Sequence, residues 1–160
     1  MKNLILIRHA KSSWDLPLRD FDRPLMKKGI ESAKSVFSNC KDVIPDTFAI
    51  WSSAAKRASE TAKLFAESIS LSFTAITFKE DLYTFDSHKL EKIIRSCDND
   101  IENLILFGHN SAITDFVNKF GNIFIDNVPT AGLVSITFET NDWNTITKGT
   151  TIKTLFPRDC

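Results

Sequence analysis

Two histidines in this chain stand at the ends of short apolar runs. The segments are Leu4-Ile5-Leu6-Ile7-Arg8-His9 and Leu104-Ile105-Leu106-Phe107-Gly108-His109. Arg57 falls a few residues after a third run, Phe48-Ala49-Ile50-Trp51. A neutral imidazole can attack phosphorus, and a second, protonated imidazole can neutralise the transferring oxygens. The planar guanidinium fork matches phosphate oxygens, and helix N-termini add further N–H donors. The set suits phosphoryl transfer through a phosphohistidine formed on the chain. A zinc site is not expected, because the histidines have no i, i+4 spacing and no cysteine ligand stands near them.

Each residue taken alone also has a plain structural role. A histidine at a strand tip is commonly a loop residue, and an arginine on a helix commonly a solvated charge. His88, with Asp86 and Lys89 nearby, reads as surface, and Trp14, Trp51 and Trp143 read as packing. The functional reading rests on two histidines at equivalent strand tips, each accompanied by basic residues.

The elements that position these residues follow from periodicity. Leu4–Ile7 and Leu104–Phe107 are short and continuously apolar, as strands buried on both faces are. Phe48–Trp51 reads the same way, and the β-branched and aromatic residues at 73–78 predict a third strand in chain order. Helical spacing appears in Met26, Ile30, Ala33 and Phe37 after Pro24, and in Ala58, Ala62, Phe65 and Ile69 with Ser52 and Ser53 as N-caps. It recurs in Leu90, Ile93, Ile94 and Cys97, and in Ile113, Phe116, Val117 and Phe120. Val134, Ile136 and Phe138 alternate ahead of a polar turn near Asn141 and a last strand, which predicts an antiparallel ending. The expected fold is a three-layer α/β/α sandwich with a mainly parallel sheet. Its right-handed crossovers bring the strand C-terminal ends, and so the site, to one rim. Residues 10–24 show no periodicity and form a long loop beside that rim.

Composition narrows the function classes. The 160 residues fit one domain, residues 1–160, with no low-complexity linker and no internal repeat. Twenty Lys+Arg balance twenty Asp+Glu, which argues against nucleic-acid binding by general basic attraction. Cys40, Cys97 and Cys160 are odd in number and scattered, as reduced intracellular thiols are. The apolar start is too short for a signal peptide or membrane span, so a cytoplasmic protein without a membrane partner is expected, with a monomer as the working oligomeric state.

Leu6-Ile7-Arg8-His9-Ala10-Lys11 resembles the Arg-His-Gly or Arg-His-Ala signature of the histidine phosphatase superfamily, the phosphoglycerate mutase-like group. The stretch from Ser52 to Ala62 resembles its Ser-Ser-x-x-x-Arg-Ala-x-x-Thr-Ala block, and Gly108-His109-Asn110 its late Gly-His-Asn block. Within that superfamily, Arg8 to Trp14, Asp22-Arg23-Pro24-Leu25 and Asp81-Leu82-Tyr83 are similar to the small SixA-type phosphohistidine phosphatases. The resemblance implies that His9 is the nucleophile, that Arg8, Arg57 and His109 clamp the phosphoryl group, and that Arg23 is a further phosphate contact. It implies transfer to His9 followed by hydrolysis, with no metal or organic cofactor. The implied substrate is a phosphohistidine-bearing protein. The alternatives are a small phosphorylated molecule, or a phosphate-recognition module without turnover.

The general acid is the open position. Larger relatives carry a glutamate in a motif after the third strand, and that motif is missing here. Glu80, Asp81, Asp20 and Asp22 are the candidates, and Asp81 is preferred because it follows the third strand. A labile P–N bond needs an acid less than an alkyl phosphate does. No stretch is long enough for a cap domain, so the site is expected to be shallow, with residues 10–24 the only possible flap.

Overall fold

Continuous apolar runs can be buried only if both faces of the sheet are covered, and that is what the chain builds. The computed structural model describes residues 1–160. Six strands, β1 (Lys2–Arg8), β2 (Ala49–Ser53), β3 (Ile76–Lys79), β4 (Asn103–Gly108), β5 (Leu133–Phe138) and β6 (Thr150–Leu155), form one sheet in the order β3-β2-β4-β1-β5-β6. β3, β2, β4 and β1 are mutually parallel, while β5 runs antiparallel to both β1 and β6. The helices are α1 (Lys27–Ser38), α2 (Lys56–Ser68), α3 (Ser87–Arg95) and α4 (Ala112–Phe120). None of them is long and apolar enough to cross a membrane.

Side-chain alternation divides the core into two layers. Ile5, Ile7, Ile105 and Phe107 face α1 and α2, where Phe107 meets Phe37 edge-on and Phe65 at a tilt of 53°. Leu4, Leu6, Leu104 and Leu106 face α3 and α4, through Leu90, Ile94, Phe116 and Phe120. The expected three-layer architecture is therefore present. Trp51 and Trp143 belong to this packing.

Three local expectations are revised. Residues 73–75 form a 3-10 turn and the strand begins only at Ile76, because Ser72 caps the turn by accepting the Thr74 N–H. Ser52 and Ser53 are not helix caps but the buried last residues of β2, and α2 starts three residues later from Ala55. Trp14 is 76% exposed rather than packed in the core.

Strand order decides where a ligand can sit. β1 leads to α1 on one face, whereas its neighbour β4 leads to α4 on the other. The two chains diverge at their C-terminal ends and leave a crevice there, as open α/β sheets do at such a switch point. The loop after β1 is fastened by an antiparallel bridge between Ser12 and Leu25 and by the Met26 N–H to Lys11 carbonyl bond, 3.0 Å. Gly29, in the first turn of α1, lets the helix lie directly on this loop, since a β-carbon there would collide with the Lys11 backbone. Gly29→Ala should therefore cost stability, about 1–3 kcal/mol as overpacking against backbone. Chemical denaturation checks this; an unchanged midpoint would show that the loop does not rest on α1 as described.

Candidate active site

The pairing of Arg8 with Gly108 in adjacent parallel strands brings the next residues, His9 and His109, side by side. Their ring centroids are 5.2 Å apart, with planes inclined at 54°. The His9 N–H donates to the Gly108 carbonyl (3.1 Å). Ala131, at φ 62°, donates its N–H to the carbonyls of both Arg8 and His9. A buried alanine in the left-handed region is a strained backbone, held here by the strand ends it ties together.

His9 has a defined tautomer. Its Nδ1 lies 2.7 Å from the Ala10 carbonyl, which can only accept, so Nδ1 carries the proton and Nε2 carries the lone pair. Arg57 confirms the polarity by donating Nε–H to that Nε2 at 3.3 Å. Burial pushes the His9 pKa down to about 4; the Ala10 hydrogen bond opposes this, and the charges of Arg57, Arg8 and Arg23 add to it. His109 is driven lower still, to about 2, by burial first and then by His9 and Arg57. Both imidazoles are thus neutral in the resting site. That corrects the expectation of a protonated second imidazole.

His109 is fully buried, with Nε2 2.8 Å from the Ser53 hydroxyl and with Tyr83 and Phe85 packed edge-on against its ring. The Ser53 hydroxyl also accepts the Ala55 N–H, so the last residue of β2 ties His109 to the start of α2. Three buried side-chain polar atoms of the protein have no hydrogen-bond partner, and two of them are His109 Nδ1 and Arg8 Nε. Arg8 is held by a single bond, Nη1 to the Val128 carbonyl at 2.9 Å.

The long loop supplies the remaining charges. Asp20 and Asp22 bound a 3-10 turn at Asp20–Asp22. Arg57 donates Nη2 to Asp20 Oδ2 (2.8 Å) and Nη1 to the Asp20 carbonyl (2.6 Å). Tyr83 donates its hydroxyl to the same Oδ2 at 2.5 Å. Arg23 donates Nε to Asp20 Oδ1 (3.3 Å) and Nη1 to Ser12 Oγ (2.8 Å) and the Ser13 carbonyl (3.2 Å). The indole of Trp14 covers the Arg23 guanidinium, 3.4 Å from it to the ring centroid. Partial burial alone would raise the Asp20 pKa, but hydrogen bonds from Tyr83, Arg57 and Arg23 together with the Arg57 charge hold it at about 2.

Arg8, His9, Asp20, Arg23 and Arg57 line a hollow of about 570 Å³, with Trp14 and Phe85 at its wall, while the buried His109 packs against His9 outside that lining. Four cations line it, Arg8, Lys11, Arg23 and Arg57, against two carboxylates, Asp15 and Asp20, an excess of two positive charges. The structure brings His9, Arg8, Arg23, Arg57 and His109 together. Asp81 it does not: that residue is exposed and lines a different surface hollow with Lys89, Lys92 and Ser96. Lys79 and Leu82 explain the difference. The strand ends at Lys79, and burial of Leu82 in the next turn leaves its neighbour Asp81 facing outward, while Tyr83 and Phe85 come to the site. Glu80 is exposed as well, and Asp22 pairs with the exposed Arg19. Of the four candidates only Asp20 reaches the site, where Asp15 is the other carboxylate of the lining. Ser53 and Tyr83 lie inside the family-like blocks Ser52–Ala62 and Asp81-Leu82-Tyr83, which gave them no role of their own, and Phe85 lies in no such block.

The model of the histidine phosphatase superfamily (branch 1) matches residues 4–100. An uncharacterized chloroplastic protein of Arabidopsis thaliana is 35% identical over 120 residues, 68% of this chain and 54% of its own length, so the chain spans about half of that relative. The crystal structure of the Agrobacterium tumefaciens protein designated phosphohistidine phosphatase SixA aligns over 96% of this chain and 97% of its own, with TM-score 0.77 and 24% identity. The structure of the protein histidine phosphatase SixA complexed with tungstate aligns over 98% of both chains, with TM-score 0.80 and 16% identity. These likenesses carry the phosphoglycerate mutase-like α/β fold.

The two lowered imidazoles give a direct prediction. Burial favours their neutral forms, so the His9 and His109 ring resonances should stay constant in NMR between about pH 8 and 5. A midpoint near the ordinary 6.5 for either ring would contradict the site as described.

Proposed function

The chain belongs to branch 1 of the histidine phosphatase superfamily, and from that premise we propose that it is a phosphatase acting through a covalent intermediate on His9. The observation that carries this reading is the fixed tautomer of His9: a neutral ring whose Nδ1–H is held by the Ala10 carbonyl and whose Nε2 lone pair lies at the hollow beside an arginine N–H. An Nε2 lone pair is a nucleophile without prior deprotonation.

In the first step His9 Nε2 bonds to phosphorus as the bond to the leaving group breaks. Charge on the equatorial oxygens is met by Arg57, Arg8 and Arg23, and by a hydrogen bond from His109. The unpartnered Arg8 Nε and His109 Nδ1 support this assignment: Arg8 Nε–H is a buried donor, and His109 Nδ1 is one in the tautomer whose Nε2 accepts the Ser53 hydroxyl, so an arriving oxyanion satisfies both. In the second step water attacks the phosphohistidine, releasing phosphate and restoring His9. No step in this scheme calls for a metal ion or organic cofactor.

We further propose phosphohistidine in a protein as the substrate class. In the resting site the hydrogen bonds from Tyr83, Arg57 and Arg23 hold Asp20 as a carboxylate with a pKa of about 2, so it stores no proton there for an alkoxide leaving group. An imidazole leaving group takes its proton on the ring nitrogen remote from phosphorus and departs neutral. The hollow is also open, with Trp14 76% and Phe85 51% exposed beside it, which suits a phosphoryl group displayed on a partner's surface. SixA, which shares the fold, is described as a protein histidine phosphatase and was solved with tungstate, a tetrahedral oxyanion.

Two measurements test this. His9→Ala should abolish hydrolysis of an activated aryl phosphate, and quenched wild-type enzyme should carry acid-labile, base-stable phosphate on His9; label elsewhere, or full activity in the variant, overturns the mechanism. Phosphohistidine carrier protein should be turned over at least ~100-fold faster than an alkyl phosphate, the order of magnitude general acid catalysis supplies. A preference for the alkyl ester would instead favour a small-molecule phosphomonoesterase.

A further inference from the structure

Asp20 occupies an unusual place for a carboxylate in a site meant for an anion. Its Oδ2 takes the Arg57 Nη2–H and the Tyr83 hydroxyl, and its Oδ1 takes the Arg23 Nε–H. Two of these three donors are the guanidinium groups that the proposed chemistry needs for phosphoryl oxygens. The two arginine side chains are rigid, 3% and 7% exposed, whereas the Asp20 side chain is 40% exposed and sits on a short turn of the long loop. Of these partners, the carboxylate is the one free to leave.

We propose that Asp20 is a resident anion in the phosphoryl clamp. It neutralises Arg57 and Arg23 in the empty site and is displaced from Arg57 Nη2 when a phosphoryl group binds. Tyr83 is the latch that sets how hard this displacement is, since Asp20 is its only hydrogen-bond acceptor. The proposal rests on the oxyanion-binding role given to Arg57 and Arg23 above, but not on turnover. It assigns Tyr83, whose hydroxyl reaches the clamp through Asp20 while its ring packs against His109 and under the Arg57 guanidinium, as a positioning residue; Phe in its place keeps those ring contacts and removes only the hydroxyl. Two consequences follow. Weak oxyanions fail to open the clamp, and product phosphate, once its bond to His9 is broken, is expelled as the carboxylate returns.

Removing a negative charge strengthens anion binding by simple Coulomb repulsion, so Asp20→Asn alone does not decide the matter. Tyr83→Phe does, because it deletes the latch and leaves every charge in place. Inorganic phosphate and tungstate are titrated calorimetrically into wild type, Asp20→Asn and Tyr83→Phe, at low and high salt. Loss of one charge-assisted hydrogen bond from a competitor corresponds to roughly tenfold in affinity. Tyr83→Phe should therefore bind both oxyanions about tenfold more tightly at either salt concentration, and Asp20→Asn at least as tightly as Tyr83→Phe. Unchanged or weaker binding in Tyr83→Phe overturns the proposal, as does weaker binding in Asp20→Asn, which would make Asp20 a support of the clamp rather than its occupant. Far-ultraviolet circular dichroism and thermal unfolding confirm that both variants are folded. If neither wild type nor either variant binds either oxyanion, the phosphoryl clamp itself is refuted; if oxyanions bind but no label forms on His9, the turnover reading fails while this one stands.

Discussion

The parallel register of β1 against β4 is the constraint on which the site depends. Arg8 lies opposite Gly108, and both strands stop there, so the next residue of each is a histidine at the same height on the same rim. The two chains then turn to opposite faces of the sheet, one to α1 and the other to α4. Neither ring can escape into solvent, and each becomes part of the other's low-dielectric surroundings. Their lowered pKa values follow from this placement: burial penalises the charged form, and each ring and the nearby guanidiniums penalise it further. A one-residue slip of β1 would send His9 to the other face of the strand and undo nucleophile, tautomer and clamp together.

The arginines pose the opposite problem. A guanidinium buried to 3% exposure costs several kcal/mol unless it is paired, so a clamp of bare cations would destabilise the fold that displays it. Asp20 resolves this by bringing its charge from a loop rather than from the sheet. Its depressed pKa means that this contribution is present above the ordinary carboxylate value of 3.8 and fades as pH falls through about 2. The histidines act over a different window and in the same direction. The unfolded chain takes up protons below about 6.5, which the folded rings refuse until about 4 for His9 and about 2 for His109, so stability falls as pH drops through that range. Charge balance at the rim is therefore maintained by a group that can be exchanged, while the imidazoles stay neutral because they cannot move.

Much of the architecture was legible in the sequence. Runs such as Leu104–Phe107 have few alternatives to a strand buried on both faces, and the helical spacing of Phe116, Val117 and Phe120 has few alternatives to a helix laid across it. The chemistry-bearing residues at strand ends, His9 and His109, were legible for the same reason: the position of a strand tip is set by where the apolar run stops. What failed were assignments that depend on local backbone turns. Ser52 and Ser53 look like caps, yet strand pairing of β2 with β3 and β4 extends far enough to claim them. Asp81 is near the third strand in sequence, but a 3-10 turn rotates it outward and brings Tyr83 inward two residues later. Asp20 lies in a loop without periodicity, and its importance arises only when the loop folds back on α2. Trp14 reads as packing in the sequence, but its surface covers one arginine at the rim.

The open rim and the ionised carboxylate belong to one design under the proposed chemistry. A metabolite phosphatase that cleaves alkyl esters has to hold a protonated acid against the leaving oxygen, and a closed pocket raises a carboxylic acid's pKa for that purpose. Here the opposite holds in the resting site: Asp20 is partly exposed, accepts from three donors, and is kept as an anion. Under the proposed chemistry such a site favours a leaving group that brings its own route to a proton. The imidazole of a phosphohistidine does so through its distal ring nitrogen, which must reach solvent to be protonated. An exposed wall of Trp14 and Phe85 leaves that nitrogen wet while the phosphoryl group is buried among the arginines, so shallowness, which would be a defect in a mutase, becomes the means by which the leaving group is activated.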